Sequence, residues 1–273
     1  MNEFDFENLK VGFIGGGALA ESVIKGIRGN LVTSTNIFVC EVRKERCDEL
    51  NKRYRINATT NADDFLDKVK LLILAVKPKD AEKTLSGLKG KVTLNTTILS
   101  VIAGLKMEVL EKYFPSNPVV RVMPNVALSV GEGMTAYYPN HEVLETDREL
   151  VKVFWSSIGR AVEIDEKLMD AVTGLSGSGP AYGFLMIDAL ADGGVASGLP
   201  RNIAIELAAQ TLLGAAKMVL ESGEHPDALR DKVTSPAGTT IEGVRILERG
   251  GVRSSLIEAV ISATEKSKLL GKN

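Results

Sequence analysis

Cysteine and histidine are both scarce. Cys40 and Cys47 are the only two cysteines in 273 residues, too few for a disulfide framework, and no His or Cys cluster stands near them at metal-ligand spacing. Both are expected to be reduced and structural, with no metal site. The only histidines are His141 and His225, so no Ser-His-Asp or Cys-His constellation can be assembled, and hydrolytic or nucleophilic chemistry falls away. No excess of one charge is present either: 33 basic residues face 35 acidic ones, which gives no basis for a nucleic-acid partner or an anionic membrane surface. The longest apolar stretch, Ala181 to Gly198, is interrupted by Asp188 and Asp192, each costing a few kcal/mol at a bilayer centre, and therefore reads as a buried helix. Met1 to Lys10 carries acidic residues and reaches its first strand almost at once, unlike a signal or transit segment, which points to the cytoplasm.

What the chain does have is enough apolar content, 44%, for a full core in two modest domains. From Val11 to about Val122, short β-rich runs alternate with amphipathic helices, the pattern of parallel βαβ units whose strands are buried on both faces. Strands are expected at Lys10 to Ile14, Asn36 to Cys40, Leu71 to Val76, Thr97 to Ile102 and Val119 to Met123. Between the first two, Leu19, Ala20, Val23, Ile24 and Ile27 recur at helical spacing and give one apolar face for the sheet. After Ile164 helical patterns run to the C-terminus, with stop signals at Gly198-Leu199-Pro200, Gly223 to Pro226, Ser235-Pro236 and Gly250-Gly251. The reading is a Rossmann-type doubly wound parallel α/β sheet over residues 1–164, followed by an all-α domain over 165–273. In the latter, Ile203 to Leu220 is interrupted only by Glu206, Gln210, Thr211 and Lys217. That nearly all-round apolar surface is wider than one neighbouring helix could cover, so a second subunit is expected to cover the rest.

Val11 to Ala20 is a strand running into G-x-G-x-x-A and then a helix. Gly15 permits the tight turn, Gly17 lets backbone approach a pyrophosphate, and small Ala20 allows close helix-to-strand packing. The free N–H groups that follow would face phosphates, assisted by the helix dipole. The motif alone is a weak signal; its place after the first strand of a βαβ unit strengthens it. Ile14, Gly15, Gly16, Gly17, Ala18 and Leu19 are accordingly candidate cofactor contacts. At the end of the second strand, Glu41 would hydrogen-bond an adenosine ribose and repel a 2′-phosphate, whereas Arg43 could attract one. Glu41 tilts the balance toward NADH over NADPH.

Ligands of open α/β sheets collect at the carboxyl ends of the strands, here Ala75-Val76-Lys77-Pro78 and Ser100 to Gly104, where a nicotinamide half is expected. Two glycine-rich, hydroxyl-bearing turns stand out later: Gly174 to Pro180 and Ser235 to Thr240, both read as leading into helices. In the second, Ser235 fits an N-cap and Pro236 the first helical position, leaving the amides of Ala237, Gly238 and Thr239 unpaired and ready for a carboxylate. Ordinary helix capping is the plainer reading; two such turns in one domain favour a site. Hydride transfer to a C=N bond suits it, because a protonated imine is already electrophilic and needs mainly orientation.

The run Asp170 to Tyr182, followed by Asp188 to Val195, closely resembles pyrroline-5-carboxylate reductase. Gly12-Phe13-Ile14-Gly15, Ala75-Val76-Lys77-Pro78, Arg121-Val122-Met123-Pro124-Asn125, Ser235 to Thr240 and Gly251-Val252-Arg253-Ser254 extend the resemblance over nearly the whole chain. It implies reduction of 1-pyrroline-5-carboxylate to L-proline by NADPH or NADH, the last step of proline synthesis, in an interlocked helical homodimer; five such dimers often form a decamer in this family. By matching position it also implies that Thr240 meets the substrate ring nitrogen. Ser235 and the Gly238 and Thr239 amides would take its carboxylate, with Glu166 beside the substrate. Asn61 and Lys77 would touch the cofactor, with Val76 and Ala103 near its nicotinamide end. Three departures stand out: Ala18 for a longer polar residue, Glu41 for a small one, and Ala237 for glycine. Ala237 fits without strain only at negative φ, which the start of a helix would supply.

Two other readings compete. One is a reductase of another cyclic imine or of a β-hydroxy acid, although the latter would place a lysine in the Asp170 to Ala189 region, where there is none. The other is a nucleotide-sensing module without turnover.

Overall fold

A computed structural model describes residues 4–6 and 8–271. The chain divides into two compact units, one formed by residues up to Ser178 together with those from Ser262 onward, the other by Gly179–Ile261.

The first unit is built on an eight-stranded sheet. Its strands are β1 (Val11–Ile14), β2 (Ile37–Cys40), β3 (Asn57–Thr59), β4 (Leu71–Leu74), β5 (Thr97–Ser100), β6 (Val119–Met123), β7 (Gly133–Pro139) and β8 (Gly159–Glu163), in the order β3-β2-β1-β4-β5-β6-β7-β8. The first six are parallel, β7 runs antiparallel to β6, and β8 runs parallel to β7. Strand order reverses between β1 and β4, which creates the crevice where dinucleotides sit in such sheets.

Every residue of β1, β4, β5 and β6 is buried, because helices cover both faces. On one face, Val11, Phe13, Leu71 and Ile73 meet α1 (Ala18–Ile27), α2 (Lys44–Tyr54) and α5 (Glu145–Ser156). Helix α1 presents Ala20, Val23, Ile24 and Ile27 to that layer, all buried, at the i, i+3, i+4, i+7 spacing that puts them on one side. On the other face, Leu72, Leu74 and Ile98 meet Leu85 and Leu88 of α3 (Ala81–Leu88) and Leu110 of α4 (Met107–Tyr113). Five expected strands are present within a few residues of their limits; β3, β7 and β8 are additional.

Beyond β8 comes α6 (Met169–Val172), then a π-helical turn, Thr173–Gly177. The Gly174 to Pro180 segment is therefore continuous helical backbone leading to α7 (Gly179–Ala196), and not a loop before a helix. Wide turns of this kind recur at functional sites. The second unit then runs through α7, α8 (Arg201–Ser222), α9 (Pro226–Lys232), α10 (Thr239–Arg249) and the first part of α11 (Val252–Leu270). Helices α7 and α8 approach closely on small residues, with Ala191, Ala204 and Ala208 buried between them. Most of the apolar surface of α8 is left open: Leu207, Leu213, Met218 and Leu220 are each more than half exposed. Among the described residues α8 is the one helix long and apolar enough to cross a membrane by length and composition.

Candidate active site

The carboxyl ends of β1, β2, β4 and β5 are stitched together beyond the strands themselves. The Gly15 amide donates to the Cys40 carbonyl at 2.8 Å, Ala75 to Ile14 at 2.8 Å, Glu41 to Thr59 at 3.0 Å, and Val101 to Leu74 at 3.1 Å. This fixes the turns in which Ile14, Ala75, Val76 and Ala103 lie. Gly15 adopts φ +102°, and a Cβ there would sit 2.7 Å from the Ala75 carbonyl oxygen, so the turn requires glycine.

Helix α1 starts at Ala18 with Gly17 as N-cap and no side-chain cap. Its first amides, of Ala18, Leu19 and Ala20, have no intrahelical partner, and a Cβ on Gly17 would meet no protein atom within 4 Å. Open space in front of uncapped donors is a phosphate cradle, so the residues present fit a dinucleotide.

Glu41, 8% exposed, is gripped where the adenosine end should fall. Its Oε2 accepts from the Gly16 amide at 3.1 Å and its Oε1 from the Arg43 amide and Nε, both at 3.2 Å. Burial alone would raise its pKa; the Arg43 and Gly16 donors outweigh burial and hold the carboxyl below its usual range. Sequence reading missed Arg46 of α2, whose Nε donates to the Gly16 carbonyl at 2.9 Å while its fork pairs with Glu21 and Glu49. Only its i, i+3 spacing from Glu49 was visible, which is an ordinary surface pattern. Burial pushes the Cys40 and Cys47 thiols up, which disfavours the reactive thiolate.

Lys77 lies exposed just past β4 and caps a short 3₁₀ turn with backbone only. Asn61, past β3, accepts from the Asp63 amide at 3.2 Å and donates to Asp64 at 3.2 Å. Glu166 belongs to the same unit; its Oε1 accepts from the Met107 amide at 2.7 Å and from the guanidinium of Arg121, while its Oε2 has no hydrogen-bond partner among the described residues. Arg121 is the second residue that the sequence left without a role. Next to it, Asn125 Nδ2 donates to the Ser176 carbonyl of the π-turn at 3.1 Å.

In the second unit Ser235, Gly238, Thr239 and Thr240 are gathered on one turn, but its geometry differs from expectation. The N-cap of α10 is Gly238, not Ser235, and the helix begins at Thr239, not Pro236. The Gly238 amide is consumed by the Ser235 carbonyl at 3.1 Å, leaving Thr239, Thr240 and Ile241 as the uncapped donors. Ala237 sits at φ +56°, against the expected negative value, because Ser235 to Gly238 form a reversal before the helix instead of its first turn. A left-handed alanine costs about 1 kcal/mol. His225 is occupied in capping α9, its Nδ1 accepting from the Asp227 amide at 3.2 Å.

Sheet, switch point and glycine turn define a dinucleotide-binding oxidoreductase fold. The comparisons are specific. The family model "Pyrroline-5-carboxylate reductase dimerisation" matches residues 166–270, and "NADP oxidoreductase coenzyme F420-dependent" matches 10–104. The chain is 44% identical to the pyrroline-5-carboxylate reductase of Synechocystis, over 97% of this chain and 99% of that one. It is 42% identical to the Arabidopsis thaliana enzyme, over 98% and 97%. The crystal structure of Plasmodium falciparum pyrroline carboxylate reductase with NADP bound superposes with TM-score 0.88 at 34% identity, covering 97% of this chain and 99% of that one. The chain belongs to the pyrroline-5-carboxylate reductase family.

Proposed function

We propose that this chain reduces 1-pyrroline-5-carboxylate to L-proline with NADH or NADPH, closing proline biosynthesis. The observation that carries the reading is one chain holding two uncapped helix starts of different character, a glycine cradle at α1 and a hydroxyl-rich reversal at α10. When bound, the reduced nicotinamide supplies hydride to the C=N carbon. The chain's own part is to bind and orient. Ile14 to Leu19 hold the pyrophosphate, and Asn61, Ala75, Val76, Lys77 and Ala103 line the rest of the cofactor. Ser235 and the Thr239 and Thr240 amides hold the substrate carboxylate, with Gly238 as the N-cap that aims those amides, and the Thr240 hydroxyl meets the ring nitrogen. Glu166 borders the substrate with its unpartnered oxygen.

Oxidation of NAD(P)H followed at 340 nm with pyrroline-5-carboxylate tests the activity, ~340 nm being where reduced nicotinamide absorbs. No turnover with either cofactor would refute it. In the same assay Thr240→Ala is expected to lower kcat/KM at least about tenfold, roughly 1.4 kcal/mol; unchanged kinetics would remove Thr240 from the mechanism.

Glu41 supports a preference for NADH. Three donors hold it ionised, with lone pairs left for ribose hydroxyls, and a 2′-phosphate would meet that charge at close range. Glu41→Ser is expected to shift the NADPH-to-NADH ratio of kcat/KM upward at least about tenfold. An NADPH preference in the parent chain would overturn this.

The dimerisation family match and the open apolar surface of α8 support an obligate homodimer formed by residues 165–273, able to stack as five dimers into a decamer. Sedimentation at micromolar concentration should show no monomer. A cytoplasmic location goes with this reading, and cell fractionation checks it.

A further inference from the structure

Gly16 is the buried middle residue of the glycine turn, and side chains distant in sequence hold its backbone at both ends. Its amide donates to Glu41 Oε2 at 3.1 Å, and its carbonyl accepts from Arg46 Nε at 2.9 Å. Glu41 directly follows β2 and Arg46 lies in α2, so the second βα unit clamps the turn that joins β1 to α1.

The clamp answers a weakness in the turn itself. Rotating the Gly16–Gly17 peptide changes ψ of Gly16 and φ of Gly17, and with glycine on both sides sterics scarcely oppose it. That peptide is planar and trans, so its carbonyl and its N–H point in opposite directions. With the carbonyl bonded to Arg46, the Gly17 N–H points away from that side chain. Gly17 itself is exposed, and a Cβ there would meet nothing within 4 Å. A flipped peptide would present a carbonyl oxygen to a phosphate in place of a donor.

Arg46 is not placed to act on a phosphate itself. Its guanidinium is spent on protein: Nε on Gly16, Nη2 on Glu21 of α1, and Nη1 on Glu49 at 2.8 Å. Two carboxylates more than neutralise its charge. Its side chain is 13% exposed, so a fixed fork and not a mobile surface cation reaches the carbonyl. Glu21 also accepts from Tyr54 Oη at 2.6 Å and from Arg53 Nη1 at 2.8 Å, which ties the fork to both helices.

We infer that Arg46 is a positioning residue for the cofactor's pyrophosphate, acting through the Gly16 carbonyl to hold the Gly17 N–H and the α1 amides behind it in their binding orientation. The inference rests on the dinucleotide reading of this turn. ADP-ribose, which carries the pyrophosphate and lacks the nicotinamide, is titrated into the full-length protein by calorimetry, beside thermal melting. Binding to the parent chain tests the dinucleotide reading alone; its absence would remove that reading and the inference together. Arg46→Met is expected to weaken ADP-ribose binding at least about tenfold. The chain should still fold, because Glu21 keeps Tyr54 and Arg53 as donors. Lost stability, or the negative charge uncovered at Glu21, would produce the same loss, and Arg46→Met/Glu21→Gln separates these causes. The double variant has the parent's net charge and no stranded carboxylate at position 21. Its melting temperature should return toward the parent's while ADP-ribose stays at least about tenfold weaker. Parent-like affinity in Arg46→Met, or affinity that recovers in the double variant, would overturn the inference and leave the dinucleotide reading intact.

Discussion

Replacing Gly15 by alanine is expected to weaken NADH and NADPH binding by at least about a hundredfold, roughly 2.7 kcal/mol, in a chain that still folds. Two effects act together. At φ +102° an alanine is strained by about 1–3 kcal/mol. Its Cβ would also stand 2.7 Å from the oxygen and 2.9 Å from the carbon of the Ala75 carbonyl, backbone that cannot rotate away. The turn must shift, and with it the Gly16 amide that positions Glu41 and the amides of Ala18 to Ala20. Gly17→Ala separates the causes. There the new methyl touches no protein atom, so thermal stability should be unchanged, yet it projects into the cradle and should still reduce cofactor affinity. Fluorescence titration with NADH, read beside thermal melting, checks both. Parent-like binding by the folded Gly15→Ala chain would mean that this turn is not where the phosphates sit.

Gly15 was legible from sequence because strand, turn and helix each leave their own mark: a buried run, a glycine spacing and a 3.6-residue apolar period. The strands found in advance are those buried on both faces, whose signal is composition. Those missed lack it. β3 is the three-residue edge piece Asn57–Thr59, half-exposed and polar. β8 carries Arg160 and Glu163 outward on the opposite edge. β7 is apolar enough, but a 3₁₀ turn, Val126–Val130, stands before it where the βαβ rhythm called for a helix. In the helical half the glycines misled. Gly174 and Gly177 read as loop, yet the backbone there stays helical with one wider turn, held from outside by Asn125. At Ser235 the Ser-Pro pair looked like a helix start, and the extra reversal before Thr239 put Ala237 at positive φ. Long-range partners such as Arg46 on the Gly16 carbonyl, 30 residues apart, carry no local pattern at all.

The same limit applies to Glu166, which the family resemblance places beside the substrate and the structure shows anchored to protein. One carboxylate oxygen caps the start of α4 through the Met107 amide and also pairs with Arg121, whose side chain is 8% exposed; the side chain of Glu166 is 32% exposed. Removing the carboxylate leaves a buried guanidinium without its counter-charge and a helix start without its acceptor. Breaking a buried pair in this way costs about 3–5 kcal/mol, and water reaching Glu166 argues for the lower end. Glu166→Ala should therefore lose about 3 kcal/mol, lowering Tm by roughly 6–12 °C for a unit of this size. Glu166→Gln keeps an acceptor for Met107 and should lose less. The double variant Glu166→Met/Arg121→Met should recover part of the loss, since an apolar pair leaves no charge stranded. The unpartnered oxygen predicts a second effect: in Glu166→Gln, KM for the imine should rise by more than the stability change explains. If Glu166→Ala melts within a degree or so of the parent while KM rises, the carboxylate serves the substrate alone and the anchoring described here contributes nothing.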